Sequence, residues 1–317
     1  MLGDNEIDLD ALDLSPITVE NCEKVHQMCE SNVEHMTQPF QTFKRATLGS
    51  ALFNPDLTIV ISDDKGNIIA FFMAVLRDPF VFKKRKVAVL KFFVVTKQWR
   101  YKSIGTTLFY MLHQKISENK CFRMKFEALT SLPDYWYPGL DPRNTEALFF
   151  LKKLGFKKGH ERINLCVDLS KISEEVPPKE HRGFKISRAT DTDKEELVPL
   201  TFMPKVYQVG FWPRETAMTF DNDPITTFIA KDQSGKIVGW ASHSIHFPGS
   251  FGPTGVKKSL RGKGLGGVLL NWCLYDLKQM GLKIGKVMWV VDNTVYFYLK
   301  SKGAHICEFF WTMKRRV

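Results

Sequence analysis

Apolar residues in this chain follow two rhythms that alternate along its length. Strand-length runs of β-branched and aromatic residues cover 58–61, 68–76 and 87–95. The first two flank Asp63-Asp64-Lys65-Gly66-Asn67, a turn composition that predicts a hairpin. Leu108, Met111, Leu112 and Ile116 then recur at helical spacing. A strand is expected over 122–129, then a loop rich in Pro, Tyr and Trp over 133–142. From Asn144 a helix carries Ala147, Leu148 and Leu151 until Gly155 stops it, and 163–169 reads as a further strand. Ahead of all these, 15–35 predicts an opening strand and helix.

The stretch SEEVPPKEHR, 173–182, is polar, has a Pro-Pro pair and lacks apolar periodicity, which marks it as a linker. Beyond it the order restarts: a strand at 184–188, a helix capped by Asp191, and a hairpin of 227–230 and 237–245 around the turn 232–236. A short strand at 252–256 follows, then a glycine-rich turn and a helix with Leu269, Leu270, Cys273, Leu274 and Leu277 on one side. A strand at 286–291, a helix at 294–302 ended by Gly303, and a strand at 307–313 complete the series.

The restart is a repeat. Thr58 and Thr227, like Gly66 and Gly235, lie 169 positions apart. Arg100 and Arg261, Ser103 and Gly264, and Gly105 and Gly266 are each separated by 161 positions. Asn144 and Asn293 differ by 149, and Gly155 and Gly303 by 148. A slowly falling offset is what loop-length differences between two copies of one fold produce. The chain is therefore expected to be α+β, with two domains in tandem, each a mostly antiparallel twisted sheet flanked by helices. The expected domains are 15–172 and 183–317, with 1–14 a disordered acidic tail.

Candidate chemistry concentrates in FGPTGVKKSLRGKGLGGVLL, residues 251–270. Gly262, Gly264 and Gly266 let backbone N–H groups approach a ligand without side-chain obstruction. Arg261 and Lys263 add positive charge, and the helix that follows directs its positive end to the same place. Such a turn fits a pyrophosphate. The glycines stand as G-x-G-x-G-G, not as the G-x-G-x-x-G of a dinucleotide fingerprint, and no Ser or Thr completes a P-loop. The plainer alternative is a tight strand–helix connection with solvated charges.

Arg261, Gly264 and Gly266 spell R-x-x-G-x-G, which resembles the acyl-CoA pyrophosphate loop of the GNAT acetyltransferase superfamily. The segment Asn293…Tyr298…Gly303-Ala304 strengthens the resemblance in the C-terminal half. The N-terminal half resembles the family less closely, with R-x-x-S-x-G at Arg100, Ser103 and Gly105, and with Leu151 where many members carry tyrosine. Together the two halves are similar to tandem GNAT proteins over nearly the whole chain.

The resemblance implies a fold, a cosubstrate and a reaction. Acetyl-CoA would donate its acyl group to an amine-bearing acceptor of unknown identity, the C-terminal half being the catalytic one. Gly255, Val256, Arg261, Gly262, Lys263, Gly264, Leu265, Gly266 and Asn293 would hold the cosubstrate. Arg100, Ser103 and Gly105 would form a degenerate copy. A bulged strand at Gly255–Val256 would present a free N–H to the thioester carbonyl. Tyr298 is the candidate general acid for the leaving thiolate; packing on the buried side of its helix is the alternative. For the general base, His243, His246 and Asp292 are candidates beside a water relay, with His246 and Asp292 carried forward. Asn293 caps its helix or holds cosubstrate.

Composition narrows the remaining classes. The chain has 317 residues, enough for two domains of roughly 150 residues each. Its net charge of +11 is dispersed, and no RNA-binding or helix-turn-helix signature accompanies it, which favours an anionic small molecule over nucleic acid. No apolar run reaches the ~18 residues of a membrane span. The six cysteines are scattered, with no CxxC and no cysteine–histidine cluster, so no metal site is expected and a reducing cytoplasmic setting is. The acidic N-terminus is the reverse of a targeting segment. A non-catalytic acyl-CoA-binding scaffold and an aminoacyl-tRNA-dependent transferase remain as rival functions. Oligomeric state leaves no mark in the sequence.

Overall fold

A computed structural model describes residues 12–35, 38–77, 87–118, 123–126, 137–201, 212–290, 292–299 and 303–316. The chain divides into two compact units, Met1–Arg162 with Phe310–Val317, and Ile163–Phe309.

The first unit opens with strand β1 (Asp13–Ser15), helices α1 (Cys22–Asn32) and α2 (Phe40–Ala46), and strands β2 (Thr58–Ser62), β3 (Ile68–Arg77) and β4 (Val87–Val95). It continues through α3 (Ile104–Glu118), β5 (Arg123–Phe126), α4 (Thr145–Lys153) and the start of β6 (Lys157–Asp168). Strands β1 to β4 are antiparallel neighbours, and β4 runs parallel to β5. Met313–Arg316, near the end of the chain, pair antiparallel with β5. Side chains alternate across the sheet as strand geometry requires. Ala70, Phe72 and Ala74 pack with α3 and α4, while Phe71, Met73 and Val75 pack with α1 and α2. Asp13 and Leu14, expected in a disordered tail, pair instead with Ser62 and Ile61. Tyr137 of the aromatic loop packs against Phe310; Tyr135 and Trp136 lie outside the described residues.

The second unit carries β7 (Glu180–His181), β8 (Phe184–Arg188), α5 (Lys194–Leu200), α6 (Trp212–Met218), β9 (Thr227–Lys231) and β10 (Ile237–His243). Then come β11 (Ser250–Val256), α7 (Leu265–Gln279), β12 (Ile284–Val290), α8 (Asp292–Leu299) and β13 (His305–Arg316). Strands β7 to β11 are antiparallel neighbours, β11 runs parallel to β12, and β12 pairs antiparallel with Ile163–Asp168 of β6. Phe228, Ala230, Val238 and Ala241 face α7; Ile229, Ile237 and Trp240 face α5 and α6. Both units thus share one topology, a hairpin followed by a strand whose outer neighbour is parallel.

Two expectations are corrected here. The units meet inside β6, not at 173–182, and the last residues return to the first unit. The 173–182 segment is fastened to the second unit because α7 holds it: Trp272 Nε1 donates to Pro178 O at 3.1 Å, and Lys278 Nζ pairs with Glu174 and donates to Ile172 O, just ahead of the segment, at 2.6 Å. The cysteines are not all isolated either. Cys166 on β6 and Cys307 on β13 form a disulfide in the second unit, 141 residues apart in sequence and so invisible to local spacing. That bond removes the cysteine-based reason for a reducing compartment.

Candidate functional site

Strands β11 and β12 pair only at Ser250–Lys286 and Phe251–Val287, then diverge. Lys257 N–H donates to Val238 O on β10 at 2.9 Å. Donor direction alternates along an antiparallel pair, so the Val256 N–H points to the opposite edge, the one β12 has left. A donor there suits a carbonyl that gains negative charge during acyl transfer. The divergence, not a bulge at Gly255–Val256, creates it. The register irregularity lies earlier, where Gly252 and Pro253 stand opposite Ser242. Residue 255 is glycine for another reason: a Cβ would sit 2.4 Å from the Trp240 ring beneath it.

The loop after β11 takes the shape the glycines permit. Gly262 has φ +78° and Gly264 φ +84°, both left-handed, and a Cβ on Gly262 would meet nothing within 4 Å. Arg261 is exposed and its Nε lies 3.4 Å from Val256 O, at the root of the loop. The first internal bonds of α7 come from the Gly267 and Val268 amides to Gly264 O, so the Leu265 and Gly266 amides precede the helix's own bonding. With the dipole of a 15-residue helix behind them, these residues fit a pyrophosphate. Gly266 faces Phe297 of α8, its Cβ position 3.2 Å from that ring.

The first unit repeats this construction without glycine at the two left-handed positions. Tyr101 (φ +62°) and Ser103 (φ +61°) occupy the left-handed positions, Arg100 Nε donates to Val95 O at 3.0 Å, and Phe150 of α4 lies 3.4 Å from the Cβ position of Gly105. Strands β4 and β5 again pair at only two positions, Ala88–Met124 and Val89–Lys125. The difference is charge. Arg100 is ion-paired with Glu146 and donates to Asn32 O at 2.7 Å, while Tyr101 Oη donates to Glu146 Oε1 at 2.6 Å. The Tyr101 bond, aided by Arg100, holds the Glu146 carboxyl below its ordinary range. Matching Phe150 with Phe297 pairs Leu151 with Tyr298 and Glu146 with Asn293, a 147-position offset that replaces the sequence pairing of Asn144 with Asn293.

Candidate proton carriers separate sharply. Tyr298 is 9% exposed on α8 and packs edge-on against Phe251 and Phe297, so it combines a buried ring with a place beside β11. His246 is buried and its Nε2 lies 3.5 Å from Glu215 Oε1 on α6, itself buried. His243, fully buried, is bonded through Nε2 to Asp276 Oδ2 at 2.9 Å, and Arg188 holds the same carboxylate. Burial pushes the Asp276 carboxyl up, but the His243 and Arg188 bonds outweigh it and the net shift is downward. His243 belongs to that packing network beneath Phe228 and not to a reactive position. Asp292 and Asn293 open α8, but their side chains lie outside the described residues.

Sequence reasoning missed α6, which brings Glu215 to His246 and Trp212 to Trp240, 6.1 Å between ring centroids. Trp212-Pro213 was the available signal, since proline is tolerated in a first helical turn. It also missed His181, whose Nε2 lies 2.9 Å from Lys263 O.

Residues 194–303 match the model of the acetyltransferase (GNAT) family. No curated protein sequence matches the chain detectably. A fungal GCN5-related glucosamine N-acetyltransferase region is similar in structure (TM-score 0.75, 17% identity), covering 96% of this chain. This chain spans only 38% of that multi-domain GH3 β-N-acetylglucosaminidase. A tandem GNAT protein from the clavulanic acid biosynthesis pathway matches at TM-score 0.68 and 16% identity over 96% of this chain and 98% of its own. An N-myristoyltransferase from Saccharomyces cerevisiae with bound myristoyl-CoA matches at 0.62 and 13%, over 98% and 80%. The family match lies within the second unit, and the whole chain shares the fold of tandem GNAT proteins.

Proposed function

We propose that this protein is a GNAT-type N-acyltransferase that moves an acetyl group from acetyl-CoA to an amine-bearing acceptor, with chemistry in the second unit. The observation that carries the reading is the divergence of β11 from β12 directly ahead of the Arg261–Gly266 loop, which leaves the Val256 N–H facing the gap. The Gly262, Gly264, Leu265 and Gly266 backbone with Arg261 and Lys263 receives the pyrophosphate. Gly255 and Val256 receive the thioester, and Asn293 stands where α8 begins.

In the transfer, the acceptor nitrogen bonds to the thioester carbon as the C–S bond breaks. Val256 N–H stabilises the oxygen, Tyr298 Oη gives its proton to the departing sulfur, and the amine proton leaves to His246, backed by Glu215, or to water. Burial of the His246–Glu215 pair shields that step from bulk solvent. Asp292 remains a candidate by position alone. Glu146 sets its carboxylate where the first unit would meet phosphate, which supports a single productive loop and a non-binding copy at Arg100, Ser103 and Gly105. Among the described residues no helix is long and apolar enough to cross a membrane; we assign the protein no nucleic-acid partner.

Calorimetry with acetyl-CoA, followed by an amine panel read as released thiol, tests the reading. Binding with release on at least one amine supports it. Binding without turnover on any amine makes the protein an acyl-CoA-binding scaffold, and a strict requirement for charged tRNA makes it an aminoacyl transferase.

A further inference from the structure

The glycine loop of the second unit is held from outside by the segment that precedes its sheet. Lys278 and Trp272 of α7 fasten that segment at Ile172 O and Pro178 O, and Lys278 also pairs with Glu174 at 2.6 Å. It then enters β7, whose His181 reaches the loop: Nε2 lies 2.9 Å from Lys263 O and 3.0 Å from where a Cβ on Gly264 would stand. A carbonyl only accepts, so Nε2 carries the hydrogen.

We propose that His181 is a positioning residue for the phosphate end of the acyl donor, locking the Lys263–Gly264 peptide so that the Gly264 N–H faces the ligand. This rests on the reading of 261–266 as the acyl-CoA loop. In a trans peptide the C=O and N–H point in opposite directions, so anchoring Lys263 O from the strap side aims the Gly264 N–H away from it. The anchor is needed because glycine takes left-handed and right-handed backbone shapes about equally well, and Gly264 must stay at φ +84°. A hydrogen bond to the carbonyl also polarises the N–H of the same peptide group and strengthens it as a donor.

The first unit supplies the internal contrast. There the matching carbonyl, Lys102 O, accepts from Ile104 N–H at 2.8 Å, so it is turned back onto its own chain and an amide at the start of α3 is consumed. In the second unit the strap supplies the donor, which spares the helix-start amides for a ligand. The segment read from sequence as a linker is in this account part of the binding loop's support.

Full-length wild type, His181→Ala and His181→Gln are compared by calorimetry with CoA and with 3′-phosphoadenosine 5′-diphosphate, and by ligand-observed NMR with pantetheine. Loss of one hydrogen bond should weaken CoA and the nucleotide fragment by a similar factor, about fivefold to tenfold, in the alanine variant. Pantetheine, which lacks the pyrophosphate, should bind unchanged, and glutamine, which keeps a donor at similar reach, should restore most of the loss. Unchanged CoA affinity in His181→Ala overturns the proposal, as does equal weakening of all three ligands. Wild type that fails to bind CoA overturns the acyl-CoA reading itself, and the proposal with it.

Discussion

Leu151 in the first unit holds the position that Tyr298 holds in the second, each following a phenylalanine that packs on the last glycine of its loop. Phe150 meets Gly105 as Phe297 meets Gly266. Both side chains are buried in the matching core, Leu151 completely and Tyr298 to 9% exposure. The two units therefore solve the same packing problem, but only one brings a hydroxyl to it.

Tyr298→Phe keeps the ring contacts with Phe251 and Phe297 and removes the hydroxyl. Turnover should fall by roughly 10²–10⁴, about 3–5 kcal/mol of barrier, while the CoA Kd stays within twofold. The hydroxyl acts as the C–S bond breaks, so ground-state binding is insensitive to it. Full activity of the variant on a good acceptor would make Tyr298 a packing residue.

Gly264→Leu introduces a side chain at φ +84°, against His181, and should weaken CoA at least tenfold, about 1.4 kcal/mol. Gly281→Ala, beyond the far end of α7, is the control, since its Cβ also enters open space at a left-handed φ (+78°) and its cost is confined to the backbone, about 1 kcal/mol of stability. Equal CoA losses in the two variants would contradict a specific role for Gly264.

Calorimetry of the intact chain should give one CoA per molecule. Glu146 places a carboxylate on Arg100 in the first unit, while Asn293 is neutral at the matching position. A stoichiometry of two would show that the Arg100–Ser103 loop binds despite its carboxylate.

Asp276 ties Arg188 and His243 together beneath Phe228. Its folded-state pKa is depressed, so its contribution to stability is complete above the unfolded value of about 4 and is lost as pH falls through the lower folded value. Denaturant midpoints of the wild type should therefore fall below pH 4. Asp276→Asn should remove that part of the dependence and cost about 2–4 kcal/mol at pH 7, because the Arg188 guanidinium loses its counter-ion. Parallel pH profiles for the two proteins would rule this out.

Reduction of Cys166–Cys307 releases a cross-link between residues 141 apart. In the chain-entropy account a loop of that length contributes up to about 5 kcal/mol, so the melting temperature should drop on adding a phosphine reductant. Cys166→Ser should melt at the reduced value with or without reductant. Identical melting of the oxidised and reduced wild type would mean that the bond does not form in solution.

The repeat, the element order apart from α2 and α6, and the glycine loop were legible in sequence because they depend on local periodicity and on backbone freedom at particular residues. Strand β4 emerges with the bounds its apolar run predicts, and α7 begins where Gly264 ends the turn. The Arg261–Gly266 constellation needs only neighbouring residues, so a motif describes it. Tertiary structure decided everything that joins distant positions. The splay that exposes Val256 N–H depends on where β12 parts from β11, which no residue of β11 encodes alone. Glu146 reaches Arg100 across 46 positions, His181 reaches Lys263 across 82, and Cys166 finds Cys307 across 141. His243 and His246 look alike in sequence, three residues apart, yet one is bonded to Asp276 and the other faces Glu215. Periodicity reports which way a side chain points from its own backbone; what it meets is set by the packing of elements that sequence alone does not align.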